Sequence, residues 1–316
     1  MLISVAIPCY RSEKNLSAVV SEIKEEFKKH EEHDYQLILV CDGSPDHTDS
    51  VIRALCEEDE KIVGVLLSRN FTQQNAKMAA LPYVEGDCLV YMDDDGQHPA
   101  EGIFKLAEKL SEGYDVVFAK FEGKKQSFFK NLISNMNTFA SEFLGIKPKG
   151  IKTSSFVAYS RFSVEALKNY QSPSPSPVGY LFSQTTRFAN VDLAQRSRLS
   201  GKSGYSLGKL IRLAVTTYTN FTIIPLRIAD YVGTGSAIIG FIYGLILVIR
   251  KLFFSESIPG YTSTTAIILI LGGLILITLG LLGEYVGRIY MLLSNKPQYV
   301  VREVFNRDRQ RSAGEE

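Results

Sequence analysis

The chain has 316 residues, 45% hydrophobic and 22% charged, with a formal net charge of +1. That length allows one or two domains with a sizeable core, and the near-neutral balance gives no basic footprint for a nucleic-acid partner. The four cysteines (Cys9, Cys41, Cys56 and Cys88) form no CxxC pair and no His/Cys cluster, which excludes a zinc module and reads as reduced core residues in a cytosolic compartment.

The amino-terminal part alternates strand and helix. Residues 3–7 are an apolar strand without a basic leader, so no signal peptide is expected, and Pro8 should stop the strand. Residues 12–30 form an amphipathic helix with Leu16, Val19, Val20, Ile23 and Phe27 on one face. Strands follow at 36–41, 62–67, 88–92 and 114–119, and helices at 48–58, 71–83 and 99–112, with Pro99 suited to a first helical position. This order predicts an α/β fold with a mostly parallel sheet and flanking helices. Such sheets bind ligands beyond their carboxyl strand ends. Pro8-Cys9-Tyr10, Asp42 and the run Asp93 to Gln97 all lie just past strand ends, so they are expected to meet in one crevice.

Asp93-Asp94-Asp95 is the densest chemical signal. Three carboxylates so close repel one another unless a cation sits among them, and oxygen ligands on a short turn suit Mg²⁺ or Mn²⁺ together with a diphosphate. An isolated Asp-rich turn is as readily a solvated loop, and its place past a strand end tips the reading towards a cation site. Gly96 should loosen the backbone there.

The later pattern is weaker. Residues 120–152 carry seven lysines, and 128–144 read as an amphipathic helix whose apolar face is equally consistent with core. The Ser-Pro repeat at 172–177 is either a cover over a site or a plain connector. Between Leu193 and Ala229 there is no acidic residue but six basic ones (Arg196, Arg198, Lys202, Lys209, Arg212 and Arg227), interleaved with apolar residues as in a helix lying on anionic lipid; a solvated basic face is the plainer alternative. Residues 231–249 and 257–283 carry no charge and are long enough for two membrane spans. Basic residues before the first and after the second put both termini in the cytosol. The expected domains are therefore 1–192 (cytosolic, catalytic), 193–229 (juxtamembrane), 230–290 (two transmembrane helices) and 291–316 (cytosolic tail). Small residues such as Gly272-Gly273 allow helix packing in a homo-oligomer.

Taken in order, Ile7-Pro8-Cys9-Tyr10, Cys41-Asp42-Gly43-Ser44-Pro45-Asp46, Leu67-Ser68-Arg69-Asn70-Phe71, Met92 to Pro99, Gly201-Lys202-Ser203-Gly204-Tyr205 and Pro225-Leu226-Arg227 resemble the GT-A-fold glycosyltransferases of family 2. More narrowly, they resemble the polyisoprenyl-phosphate group that includes dolichyl-phosphate mannose synthases, bactoprenol glucosyltransferases and undecaprenyl-phosphate aminoarabinose transferases. The resemblance implies an inverting, metal-dependent transfer of one sugar from a nucleotide-sugar to a polyisoprenyl phosphate at the inner membrane, for the cell envelope. Over Leu67 to Ala76 it favours a UDP-linked donor. It implies that Pro8, Tyr10, Asp42, Asp93 and Asp94 hold the nucleotide-sugar, that Asp93, Asp95 and Gln97 hold Mg²⁺ or Mn²⁺, with Asp93 and Asp95 the catalytic pair, and that Arg198, Lys202 and Ser203 lie near the acceptor phosphate. A separate flippase is then expected downstream, since two spans offer no translocation path.

The chain departs from that group's pattern at several points. Arg11-Ser12 stand where Asn-Glu is usual, Cys41 where a first aspartate is usual, Ser155 and Val157 flank Phe156 where the group has Asp and Arg, and Gly204 replaces a lysine. Two other readings remain open: a transferase acting on a hydroxyl acceptor in polysaccharide synthesis, and a non-catalytic nucleotide-sugar-binding membrane partner. His98 is a base by position or a capping residue.

Overall fold

The computed structural model describes residues 1–122, 147–194, 224–254, 261–294 and 296–306. Two compact units are present, Met1–Ser206 with Pro297–Glu316, and Leu207–Lys296.

The first unit is a three-layer α/β/α domain. Its elements run β1 (Leu2–Cys9), α1 (Leu16–Phe27), β2 (Asp34–Cys41), α2 (Thr48–Glu58), β3 (Ile62–Leu67), α3 (Gln73–Ala80), β4 (Cys88–Tyr91), α4 (Gly102–Ser111), β5 (Val116–Glu122), β6 (Val157–Ser160), α5 (Arg161–Lys168), α6 (Pro177–Gln184), β7 (Phe188–Ala194) and β8 (Val301–Phe305). One sheet joins all the strands in the order β7-β5-β6-β4-β1-β2-β3-β8. β1 pairs in parallel with β2 and β4, β2 with β3, and β5 with β7, whereas β6 and β8 run antiparallel to their neighbours.

The central strands read as unbroken apolar runs because both faces are covered. Ile3, Val5 and Ile7 of β1 join the layer containing Leu16, Ile23 and Ile103. Ala6, Ile38 and Val40 point the other way, towards Ala76, Ala79 and Val164. Each fully buried Leu, Ile or Val contributes about 1.5–3 kcal/mol.

The first five strands fall where the hydrophobic pattern puts them, with two local differences. β1 continues through Pro8, which pairs with Val40, and is not stopped by it. Pairing with β4 ends at Ala6, so at Pro8 the strand has a neighbour on one side only and the missing N–H breaks no ladder. Pro99 does not begin α4: its carbonyl accepts from the Gly102 N–H at 2.9 Å, closing a turn ahead of the helix. β6, β7 and β8 were not anticipated. β6 has four residues and β8 five, too few to show a periodicity, and β7 is an edge strand whose apolar run is broken by Asn190 and Asp192. The helix expected at 128–144 falls outside the described residues.

β8 lies within the segment read as a tail. It covers the β3 edge, and Arg53 clamps it through both guanidinium nitrogens to Glu303, at 3.1 and 2.6 Å. Asn306 takes a left-handed backbone (φ 63) and donates from Nδ2 towards the carbonyls of Cys56 (2.6 Å), Ile62 (2.9 Å) and Asp59 (3.3 Å). Asn306→Ala is therefore expected to lower stability by about 1–3 kcal/mol, since the two amide N–H groups shared among these carbonyls are lost. The shift in thermal melting of the full chain in detergent checks this.

The second unit contains α7 (Ile224–Phe254, 31 residues) and α8 (Tyr261–Leu293, 33 residues). Within α8, Leu271–Met291 is long and apolar enough to cross a membrane; α7 carries a shorter apolar stretch, Tyr231–Tyr243. Large apolar side chains are exposed on both helices, among them Phe241 (74%), Ile277 (69%) and Leu293 (75%).

Candidate active site

The carboxyl ends of β1, β2 and β4 meet as the strand order demands, because β1 lies between the other two. Asp42-Gly43 follow directly on β2, and Gly43 packs against Arg69 and Asn70 in the chain leaving β3. The Asp42 side chain is 3% exposed, and its Oδ1 accepts the Phe71 N–H at 2.7 Å. Burial raises its carboxyl above the usual range, against the pull of the Phe71 and Thr72 N–H groups. A carboxyl raised in this way is most favourable to the fold below its unfolded pKa, and that contribution is lost as pH rises through the folded value. Asp42→Asn removes the loss. The melting temperature of the variant relative to wild type should therefore rise as pH increases from about 4, the ordinary aspartate range, through the raised folded-state value, as a pH series of melts would record.

The Asp run follows β4 and divides its side chains. Asp94 turns towards β1, where its Oδ2 accepts from the Tyr10 N–H at 3.2 Å and from the Ser12 hydroxyl. Burial raises its carboxyl, the Ser12 and Tyr10 donors oppose that, and the charge of Asp93 adds to the rise. Asp93 turns towards α3 and the β6 approach: Gln73 Nε2 donates to Oδ1 at 2.9 Å and Ser155 Oγ to Oδ2 at 2.6 Å. The Oδ1 of Asp95 accepts the Gln97 N–H at 3.1 Å, across Gly96, whose φ of 72° closes the turn. Tyr10 is 44% exposed at the mouth of the crevice, and Pro8 is buried behind it.

His98 belongs to the scaffold of this turn. It is 3% exposed and stacks on Phe156 (ring centroids 4.8 Å apart, 8° between planes). Its Nδ1 accepts the Asp93 N–H at 3.0 Å, which assigns the ring proton to Nε2, 3.7 Å from Asp93 Oδ2. This is the capping geometry; Nδ1 is engaged and does not face the crevice as a base.

Beside the ends of β1 and β2 lies an open cavity of about 370 Å³ lined by Arg11, Glu13, Lys14, Asn15, Pro45 and Asp46. Arg11 adopts φ 59, a left-handed conformation uncommon for a long side chain. Its N–H donates to Ser44 Oγ at 2.8 Å, and its guanidinium carbon lies 5.7 Å from the Tyr10 ring centroid.

Pro8, Tyr10, Asp42, Asp93, Asp94, Asp95 and Gln97 are thus gathered at adjoining strand ends. Arg198, Lys202 and Ser203 lie outside the described residues. Sequence reasoning missed Ser12, Gln73 and Ser155 as partners of the Asp run, and also Lys77. That lysine is 6% exposed, with Nζ 3.3 Å from the Ser155 carbonyl and 5.0 Å from the Tyr91 ring centroid. A cation inside the apolar run Ala76 to Leu81 was the available signal.

Among the described residues, no three His, Cys, Asp or Glu side chains close a metal cage. The donor chemistry still fits a hard divalent ion. Asp93, Asp95 and Gln97 are oxygen donors on one turn, an open platform of the kind Mg²⁺ shares with a substrate diphosphate.

Residues 4–168 match the family described as Glycosyl transferase family 2, and residues 224–289 match the GtrB C-terminal hairpin. A bactoprenol glucosyl transferase of Shigella flexneri, prophage-derived, is 31% identical over 96% of this chain and 98% of its own. An undecaprenyl-phosphate 4-deoxy-4-formamido-L-arabinose transferase of Aeromonas hydrophila is 32% identical over 96% of this chain and 94% of its own. Among solved structures, glucosyl-3-phosphoglycerate synthase of Mycobacterium tuberculosis, in complex with Mn²⁺, UDP and phosphoglyceric acid, shares the fold: TM-score 0.52, 21% identity, 68% of this chain and 76% of that one. With the family match across residues 4–168 and relatives at this identity along nearly the whole length, the chain belongs to glycosyl transferase family 2.

Proposed function

We propose that this chain moves a single sugar from a UDP-linked donor to a polyisoprenyl phosphate such as undecaprenyl phosphate, with inversion at the anomeric carbon. The observation that carries the reading is the division of the Asp run: Asp94 is tied to Tyr10 and Ser12 on the β1 side, whereas Asp93 is held by Gln73 and Ser155 and Asp95 by the Gln97 N–H, which fixes both carboxylates on the turn after β4. The full-length relatives whose names specify bactoprenol or undecaprenyl phosphate support the acceptor class.

In this reading Tyr10, Asp42 and the Arg11–Asp46 cavity take the nucleoside, with Pro8 shaping the floor. Asp93, Asp95 and Gln97 hold Mg²⁺ or Mn²⁺. When bound there, the ion would supply charge neutralisation for the leaving diphosphate. The acceptor is a phosphate monoester with a second pKa near ~6, so it is already a nucleophile at neutral pH and needs no protein base. This agrees with a His98 that is engaged in scaffolding. The chain's task is to position two anions, and Arg198, Lys202 and Ser203 are assigned to the acceptor phosphate.

Residues 1–192 are the cytosolic catalytic domain, whose sheet is completed by the end of β7 and by β8 from the tail; 193–229 is the juxtamembrane segment, running into the start of α7; and α7 and α8 both cross the inner membrane. The exposed apolar side chains of both helices and the charge-free stretch at 231–249 support two spans. Both termini are then cytosolic, a homo-oligomer can form through the spans, and a separate flippase exports the product.

The test is incubation of membranes carrying the chain with a labelled panel of UDP- and GDP-sugars, followed by organic extraction. Label from a UDP-sugar should enter the lipid phase. Label from GDP-sugars alone would overturn the donor assignment, and label confined to polymer would overturn the acceptor.

A further inference from the structure

Lys77 is the buried charge for which nothing above supplies a purpose. It lies on α3 one turn after Gln73, so the two share a helix face. Gln73 binds Asp93 directly. Lys77 reaches it through one residue: its Nζ donates to the Ser155 carbonyl at 3.3 Å, and the Ser155 hydroxyl donates to Asp93 at 2.6 Å. The ammonium rests over the Tyr91 ring, whose hydroxyl donates back to the Lys77 carbonyl at 2.7 Å, so helix and strand hold the side chain from two sides. Burial pulls the ammonium below the ordinary lysine range, and the charge of Asp93 opposes this. A charge so buried is retained at a price in desolvation, and its neighbours along α3, Ala76, Met78 and Ala79, are themselves buried.

We propose that Lys77 is a positioning residue for sugar transfer: a built-in cation that fixes the direction of Asp93 through Ser155 and offsets part of the negative charge gathered where the donor diphosphate binds. The proposal rests on the reading of Asp93 as a metal-facing carboxylate. It has a consequence that packing alone does not. Removing the cation makes the carboxylates more attractive to a divalent ion, even as catalysis falls.

The test is Mn²⁺ titration of the full chain without donor, read by the electron paramagnetic resonance signal of free Mn²⁺, for wild type, Lys77→Met, Lys77→Gln and Asp93→Asn. Lys77→Met should bind Mn²⁺ at least about tenfold more tightly, since a unit charge against a divalent ion about 10 Å away at an effective dielectric of about 20 corresponds to about a hundredfold before solvent screening. Its kcat should fall about tenfold to a hundredfold, with a smaller change in donor KM. Lys77→Gln keeps a donor for the Ser155 carbonyl without the charge, so it should share the metal shift, retain more of kcat, and serve in place of Lys77→Met should that variant not fold. If a folded neutral variant binds Mn²⁺ no more tightly than wild type, Lys77 is structural and the proposal is overturned, while Asp93 keeps its role. If wild type and Asp93→Asn bind Mn²⁺ alike, the Asp93 reading fails, and this proposal with it.

Discussion

Asp95→Asn is expected to lower sugar transfer by about a hundredfold to a thousandfold, the range seen when one charge-stabilising group is removed from a preorganised site, while leaving the fold intact. The asparagine amide oxygen can still accept the Gln97 N–H that Asp95 Oδ1 accepts at 3.1 Å, so the turn closed by Gly96 survives. What is lost is the negative charge and the hard-oxygen affinity that the proposed metal and diphosphate site requires. The measurement is the initial rate of lipid-product formation set beside a melting curve. An unchanged rate would remove Asp95 from the chemistry and favour a protein that binds nucleotide-sugar without turning it over. A lost rate with a collapsed melt would mean a structural role.

Gly43→Ala is expected to destabilise the catalytic domain by about 3 kcal/mol or more and to abolish donor binding. Gly43 has φ 55, and a Cβ built there would stand 2.2 Å from the Arg69 carbonyl carbon and 2.5 Å from the Asn70 nitrogen. These are backbone atoms, so no rotamer change relieves the overlap. The two chain segments must separate, and the Phe71 N–H that holds Asp42 moves with them. Gly113→Ala is the control: φ is 98 but nothing lies within 4 Å of the added carbon, so only the backbone conformation is strained, at about 1 kcal/mol. Denaturant midpoints and UDP binding for the pair separate overlap from strain. Equal, small effects would show that the β2 and β3 exits are not locked together.

The parallel half of the sheet was legible because its strands are buried on both faces and separated by full helices. The convergence of Tyr10, Asp42 and the Asp run followed from strand ends alone. What the sequence concealed was direction. Three adjacent aspartates look equivalent in a string, yet one faces Ser12, one faces Gln73 and Ser155, and one closes its own turn. Ser155 and Gln73 are far apart in the chain, and only the β4–β6 pairing and the entry to α3 bring them to the same carboxylate. Pro8 misled because its cost depends on whether a neighbouring strand needs its N–H, which is a property of the sheet. β8 was hidden because a five-residue edge strand after an apolar hairpin carries little pattern of its own.

The most direct measurement compares two acceptors that differ only in the phosphate. Purified chain in detergent, with Mg²⁺ or Mn²⁺ and the accepted nucleotide-sugar, is given undecaprenyl phosphate or undecaprenol, and the lipid products are read by mass spectrometry. The expected result is a sugar-phosphate-lipid from undecaprenyl phosphate alone, lost on addition of EDTA. Glycosylated undecaprenol formed at a comparable rate, or no lipid product despite metal-dependent donor binding, would contradict the assignment of a phosphate nucleophile.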